Sequence, residues 1–318
     1  MFRKNKSSHI WNVLALITAS VIWGTAFVSQ STGGDIMGPY SFNCIRSFIA
    51  TLVLLIVIKV LDMLKLSGKK PETKEEKKLL WIGGILCGTA LCIASNLQQV
   101  AINMGTETGK AGFLTAIYIL IIPILSIFLK KMCSWNVWVG VAIALFGMYL
   151  LCAVESWNLK TADLLLIACA FMFAIQILCI DYFAPKVDNV RLSCIQFLTT
   201  AVLTIIPMVW FDWGHSFEGF INWSPALTNK SAWGSLLFAA VFSSGIAYTL
   251  QIIGQNNFNP TIASMLMSLE SVFSVLAGFV FLNQTLSVNE LFGCLLIFTA
   301  IIFAQLPIAG KKSKANET

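Results

Sequence analysis

Pro260-Thr261-Ile262-Ala263-Ser264-Met265-Leu266-Met267-Ser268-Leu269-Glu270-Ser271-Val272-Phe273 opens an apolar run that continues to residue 282 and carries one charged side chain, Glu270. A spanning helix needs about 20 mostly apolar residues, and in lipid a lone segment of that kind satisfies its backbone only as a helix. At about 1.5 Å per residue, Glu270 lies about 15 Å beyond Pro260, near the middle of a hydrocarbon core roughly 30 Å thick. A carboxylate at that depth is costly, so it needs a partner or serves a function.

Nine further runs of the same kind occupy residues 11–31, 39–59, 79–101, 109–129, 135–153, 162–183, 190–210, 231–253 and 288–307. The composition agrees: 57% of the 318 residues are hydrophobic and 11% are charged, where a soluble chain carries about a quarter charged. Mean hydropathy is +0.80. The gaps between runs are too short for a separate soluble domain, which excludes an attached kinase, ATPase or DNA-binding module, and no Walker-type phosphate loop is present. The basic start Phe2-Arg3-Lys4-Asn5-Lys6 resembles a signal peptide, but the apolar run after it is too long for one.

The nine cysteines are odd in number, lie in or beside apolar runs and form no Cys-x-x-Cys pair, so they read as packing residues. His9 and His215 fall in a tail and a loop and form no zinc motif. The charge of +6 reports orientation and not an acidic ligand. With the N-terminus cytoplasmic, the outer segments keep only Lys110, Lys160 and Lys230, and Arg46 lies within a span. That leaves 17 of the 21 lysines and arginines inside. This bias predicts both termini in the cytoplasm and an even number of spans. The gap 66–78 reads as a solvated inner loop with room for one short polar helix. In the gap 211–230, Trp213, Phe217, Phe220 and Trp223 recur every three or four residues, which predicts an amphipathic helix at the outer interface.

The second half of the chain repeats the first. An offset of 153 pairs Leu97-Gln98 with Leu250-Gln251, Asn103 with Asn256 and Gly140 with Gly293; an offset of 150 pairs Leu14 with Leu164 and Cys44-Ile45 with Cys194-Ile195. Five spans per repeat turn the second copy upside down in the membrane. Inverted repeats are the mark of alternating-access carriers, whose site lies near the midplane between the repeats. The expected fold is an all-α integral membrane protein with ten transmembrane helices in two inverted five-helix repeats, residues 11–153 and 162–307, flanked by cytoplasmic tails 1–10 and 308–318.

Several stretches resemble the EamA-type carriers of the drug/metabolite transporter superfamily. They are Ile22-Trp23-Gly24-Thr25-Ala26-Phe27 in the first span, Pro39 through Arg46-Ser47-Phe48-Ile49-Ala50 in the second, and Asn259 through Phe273 in the ninth, with Thr285-Leu286-Ser287 to Gly293 leading into the tenth. The resemblance covers nearly the whole chain. It implies ten helices in two inverted halves, no cofactor, and export or exchange of a small organic solute such as an amino acid. In many members a proline follows the ninth-span glutamate, and an acidic residue often ends that span; here Ser271 and Asn283 stand at those places.

The candidate site residues are the polar and aromatic groups buried in spans. Arg46 lies about 10 Å from the outer end of the second span, within about 5 Å of Glu270 in depth. One reading makes Glu270 a substrate or proton site; the other makes the two a fixed helix-locking pair, or gives each a partner among backbone carbonyls and polar side chains. Ser244, Tyr248, Gln251 and Gln255 share a face at spacings of four, three and four. Ser95 and Gln98 mark the repeat-related part of the third span; Thr115 and Tyr118 correspond to Ser268 and Ser271. Ser20, Trp23, Phe27 and Gln30 form a stripe suited to an organic solute. Glu270, Arg46, Tyr118, Tyr248, Gln251, Gln98, Ser271, Trp23 and Ser95 are therefore the expected site.

The expected function is secondary transport of a small organic metabolite or drug-like solute across the plasma membrane, by alternating access and toward the outside. Partners are the solute, the bilayer and protons as the candidate coupling ion, with no nucleic acid and no obligate protein partner. The competing class is an intramembrane enzyme or lipid-modifying protein, which needs paired carboxylates or a buried histidine beside a nucleophile.

Overall fold

The computed structural model describes residues 6–65, 68, 70–129, 134–151, 160–282 and 288–305. Asn283, Thr285-Leu286-Ser287, Cys133, Cys152 and the basic residues Arg3, Lys4, Lys69, Lys130, Lys131, Lys311, Lys312 and Lys314 lie outside them. The described residues form α1 Lys6–Met37, α2 Pro39–Met63, α3 Lys74–Asn103, α4 Thr108–Phe128, α5 Trp135–Leu151, α6 Thr161–Phe183, α7 Asn189–Asp212, α8 Lys230–Gln255, α9 Pro260–Phe281 and α10 Val288–Gln305, and no strand occurs among them. Among the described residues eight helices are long and apolar enough to cross a membrane. In α5 and α10 the apolar stretches are shorter, Trp135–Leu150 and Leu291–Ala304.

Local chemistry sets the helix ends. Gly38 adopts φ +84° between α1 and α2, a left-handed conformation that favours glycine, and Pro39 then opens α2 at the position where a missing N–H costs nothing. The polar stretch 66–78, expected as a solvated loop with room for one short polar helix, contributes the first turn of α3. Thr73 Oγ1 accepts from the Glu76 N–H at 3.1 Å while Glu76 Oε2 accepts from the Thr73 N–H at 3.3 Å, a reciprocal cap that starts the helix at Lys74 and not at residue 79. At the start of α9, Asn259 Oδ1 accepts from the N–H groups of Thr261 and Ile262. Between 211 and 230 a short helix, Phe217–Trp223, does form. Its Trp223 stacks at a tilt on Trp213 with centroids 5.4 Å apart and donates from Nε1 to the Met37 carbonyl at 2.6 Å, pinning the helix over the α1–α2 corner.

Two aspartates show how the halves are oriented. Asp62, in the last turn of α2, accepts from Arg191 Nη2 in the first turn of α7 at 2.7 Å. Asp212, at the end of α7, accepts from the Ser41 N–H in the first turn of α2 at 2.6 Å. Each end of α2 therefore meets the opposite end of α7, so the two helices run antiparallel. The offset of 150 that pairs Cys44 with Cys194 also pairs Asp62 with Asp212 and Ser41 with Arg191. A carboxylate beside a helix N-terminus complements its free N–H groups and dipole, which accounts for an aspartate at both places.

The remaining packing repeats under the same exchange of halves. α1 lies against α8 and α9, and its counterpart α6 lies against α3 and α4; α2 pairs with α7, and α5 with α10. Gly84 and Gly88 of α3 face Ile195 and Thr199 of α7, where α3 comes close enough to exclude larger side chains.

Both α4 and α9 are interrupted halfway, at Ile117 and at Ser268. The next turn tightens to i→i+3 bonds, Leu120 N–H to Ile117 O at 2.9 Å and Ser271 N–H to Ser268 O at 3.1 Å. The break in α9 forms without a proline, since Ser271 follows Glu270. In α8 the segment Phe238–Ala247 is wound as a π-helix.

Candidate functional site

The two interruptions face each other. Tyr118 begins the second segment of α4, Glu270 is the second residue of that of α9, and the Tyr118 hydroxyl donates to Glu270 Oε1 at 3.1 Å. Broken helices near the midplane are where carriers build their sites, because unwound turns expose polar groups that a continuous helix would hide. Around the pair lies about 460 Å³ of atom-free space, counted to its open mouth, lined by side chains from α1, α2, α3, α4, α6, α8 and α9.

On one side stand Trp23, Phe27 and Gln30 of α1 with Arg46 of α2. Arg46 is buried, with its guanidinium carbon 5.8 Å from the centre of the Phe42 ring, and its Nε has no hydrogen-bond partner in the protein. Trp23 Nε1 and Gln30 Oε1 are likewise buried without partners. A lone buried polar atom costs about 1–3 kcal/mol, so three of them around one cavity mark a place built to meet something else. Among the described residues no ion pair joins Arg46 to Glu270. The fixed salt bridge weighed in the sequence does not form.

Trp23 also meets the edge of Tyr248 at 4.8 Å between centroids, and Tyr248 meets Phe197 at 5.3 Å. Gln98 Nε2 donates to Thr115 Oγ1 at 3.1 Å. Gln251 donates to Gln176 Oε1 at 3.2 Å, and Gln176 donates to Gln196 Oε1 at 3.2 Å.

Seven of the nine expected residues line this cavity: Glu270, Arg46, Tyr118, Tyr248, Gln251, Gln98 and Trp23. Ser271 and Ser95 do not. The Ser271 hydroxyl donates to the Ser268 carbonyl at 2.6 Å, and its Cα faces Gly112. Ser95 donates to the Cys92 carbonyl, and its own carbonyl accepts from Asn43, so it serves the α2–α3 contact. Ser20 joins α1 to α9 through the Leu266 carbonyl.

Sequence reasoning missed Phe173 and Ile177 of α6, Ser243 of α8 and Met267 of α9. The apolar ones carry no signal, since in a spanning helix a cavity wall and a lipid-facing wall look alike. Ser243 was missed for a specific reason. A 3.6-residue period selects Ser244 as the neighbour of Tyr248, but the π-helical winding brings the fifth residue back into line, so Ser243 faces the cavity and Ser244 is buried elsewhere. Gln255, the far end of the same expected face, also lies outside the cavity and is buried with both amide atoms unpartnered.

The chemistry available is recognition. Among the described residues no cluster of histidine, cysteine, aspartate and glutamate could hold a metal ion. A polytopic helical membrane protein in two repeats, with a charged and aromatic cavity between them, is built as a transporter. The family model for the EamA-like transporter family matches residues 10–153 and 160–305. The chain belongs to that family, and so to the drug/metabolite transporter superfamily. An uncharacterized transporter of Archaeoglobus fulgidus is 27% identical over 305 residues, covering 93% of this chain and 86% of the relative. The uncharacterized transporter YoaV of Bacillus subtilis is 22% identical, covering 94% and 98%. A crystal structure 19% identical in sequence superposes with a TM-score of 0.71 over 92% of this chain and 96% of its own, which bears on the fold alone. Family and relatives point to a multi-pass membrane transporter and not to an enzyme.

Proposed function

We propose that this chain is a secondary carrier that moves a small zwitterionic solute, an amino acid or a close analogue, outward across the plasma membrane by alternating access. The observation that carries this reading is the pair of opposite charges, Arg46 and Glu270, lining one aromatic-walled cavity without pairing with each other. A zwitterion presents a carboxylate to the guanidinium and an ammonium to the glutamate and the ring faces, so it neutralises both buried charges at once. Glu270, Arg46, Tyr118, Tyr248, Gln251, Gln98 and Trp23 are the proposed contacts, and Ser243 and Phe173 are added to them. The outward direction follows the family resemblance.

Ligand stabilisation tests the solute class, since a ligand that binds only the folded carrier raises its stability by mass action. Purified protein warmed with a panel of amino acids, amines and carboxylates is expected to melt later with large amino acids and not with their N-acetyl or amide derivatives. In Arg46→Gln that selectivity should vanish. Equal stabilisation by amines that lack a carboxylate would remove Arg46 from the solute site.

All ten helices cross the membrane in this reading, with both termini cytoplasmic, as the 17 basic residues assigned to the inner side require. Ser216 and Thr73 are both exposed and lie at opposite ends of α2, Ser216 beside the Met37 corner and Thr73 beyond the Met63 end. A membrane-impermeant thiol reagent added outside cells should modify a cysteine placed at Ser216 and spare one at Thr73. The opposite pattern would invert the topology, and modification of both would break the ten-span count.

A further inference from the structure

The repeat register assigns partners to the cavity residues. The match of Cys44-Ile45 with Cys194-Ile195 sets Arg46 opposite Gln196 and, at the same offset, Ala26 opposite Gln176; the match of Leu97-Gln98 with Leu250-Gln251 sets Gln98 opposite Gln251. Residues 26, 46 and 98 on α1, α2 and α3 are thus the counterparts of residues 176, 196 and 251 on α6, α7 and α8. The first three lie in the halves of their helices nearer the Met37 corner, and the second three lie in the halves nearer the α6–α7 corner.

These equivalent places are not in equivalent states. Gln176, Gln196 and Gln251 are tied into one amide cluster: Gln251 and Gln176 exchange hydrogen bonds at 3.2 and 3.5 Å, and Gln176 also donates to Gln196 at 3.2 Å. Gln176 and Gln196 are wholly buried. At the counterpart, Arg46 Nε is without a partner, Gln98 donates sideways to Thr115 on α4, and no hydrogen bond joins Arg46 to Gln98 among the described residues. One end of the cavity is therefore sewn shut across three helices, while the symmetry-related end is not.

We propose that Gln176, Gln196 and Gln251 are the closed gate at the inner end of the cavity, and that Arg46 with Gln98 forms its outer counterpart when the carrier reverses. The inference rests on the carrier reading. In a protein of two inverted halves, reversal exchanges the conformations of the halves around a fixed site. The amide bonds across α6, α7 and α8 break as α1, α2 and α3 close, and the Arg46 guanidinium then donates to the Gln98 carbonyl oxygen. Gln176 and Gln196, which lie outside the cavity lining, need not touch the solute to set which side is open. They act by the balance between two states.

Hydrogen–deuterium exchange on the purified full-length carrier tests this without knowledge of the solute. Gln196→Leu keeps the side-chain volume and removes the acceptor that ties α7 to Gln176. Losing one or two neutral hydrogen bonds shifts a two-state balance by about fivefold. Backbone exchange should accelerate by that factor at the inner ends of α6, α7 and α8, and should slow at the outer ends of α1, α2 and α3. Arg46→Leu should give the reverse pattern. A purely structural role would only loosen the helices around each substitution, so acceleration without slowing at the opposite end overturns the proposal. If Gln196→Leu does not yield folded protein, Gln176→Met is measured in the same way and must show the same reciprocity. Reciprocal exchange with no stabilisation by amino acids would retain the gate and discard the solute class; solute binding with no reciprocity would do the opposite.

Discussion

Glu270→Gln, reconstituted in liposomes, is expected to exchange solute between two pools yet fail to accumulate it when a pH gradient is imposed. The substitution keeps the shape of the side chain and removes its titration. Glu270 is buried, accepts from the Tyr118 hydroxyl and shares the cavity with an arginine that makes no ion pair with it among the described residues. Its proton affinity therefore depends on which groups approach it, and alternating access changes those groups. A difference in proton affinity between the two states is what links a proton to the solute, and coupling of this kind is worth on the order of tenfold or more in driven transport. Exchange needs only the cycling of a loaded carrier, so it survives. If Glu270 were merely the helix-locking partner of Arg46, the variant would be unstable, and adding Arg46→Gln would restore it. A stable Glu270→Gln protein with full pH-driven accumulation would place the coupling elsewhere in the cavity.

Gly24→Val should abolish the folded carrier, and Gly24→Ala should weaken it by about 1–3 kcal/mol, the usual cost of an extra group in a filled contact. Gly24 is where α1 crosses α9. A Cβ there would overlap Phe273 Cβ and sit 2.7 Å from the Phe273 carbonyl carbon and 2.8 Å from the Ser274 nitrogen. Backbone atoms cannot rotate away as a side chain can, so the two helices must separate. Phe273 lies one turn beyond Glu270, so that separation also moves the carboxylate relative to Tyr118. The measurement is thermal unfolding followed by size-exclusion chromatography. Gly234→Ala on α8, where a Cβ meets nothing within 4 Å, is the control and should leave the melting temperature unchanged or slightly higher. A Gly24→Ala carrier as stable as that control would mean that α1 and α9 do not cross as closely as described.

Much of the cavity lining was legible along the chain because lipid makes polar residues conspicuous. Arg46 and Glu270 stand out in apolar runs, and Tyr118, Gln98, Tyr248 and Gln251 stand at helical spacing on faces that the repeat relates to one another. The same reasoning also selected Ser95 and Ser271, which lie outside the cavity lining, since a serine hydroxyl in a helix can bond to the carbonyl three or four residues back and needs no cavity at all. The end of the polar gap before α3 was misjudged for a similar reason. A Thr–Glu cap turns charged residues into a first helical turn, and hydropathy does not register it.

By itself the sequence determined that the chain is a polytopic bundle of helices, that its two halves are copies, and that a carboxylate and a guanidinium stand inside apolar runs. These follow from the cost of polar backbone and charge in hydrocarbon, which acts on each segment separately. The tertiary structure alone decided which polar face meets the cavity and which meets a neighbouring helix, that Arg46 and Glu270 share a cavity without an ion pair, and that one set of repeat-related positions is bonded while the other is open. Those outcomes depend on helix rotation, on the interruptions at Ile117 and Ser268 and on the π-helical turn in α8, which are settled by packing among helices distant in the chain.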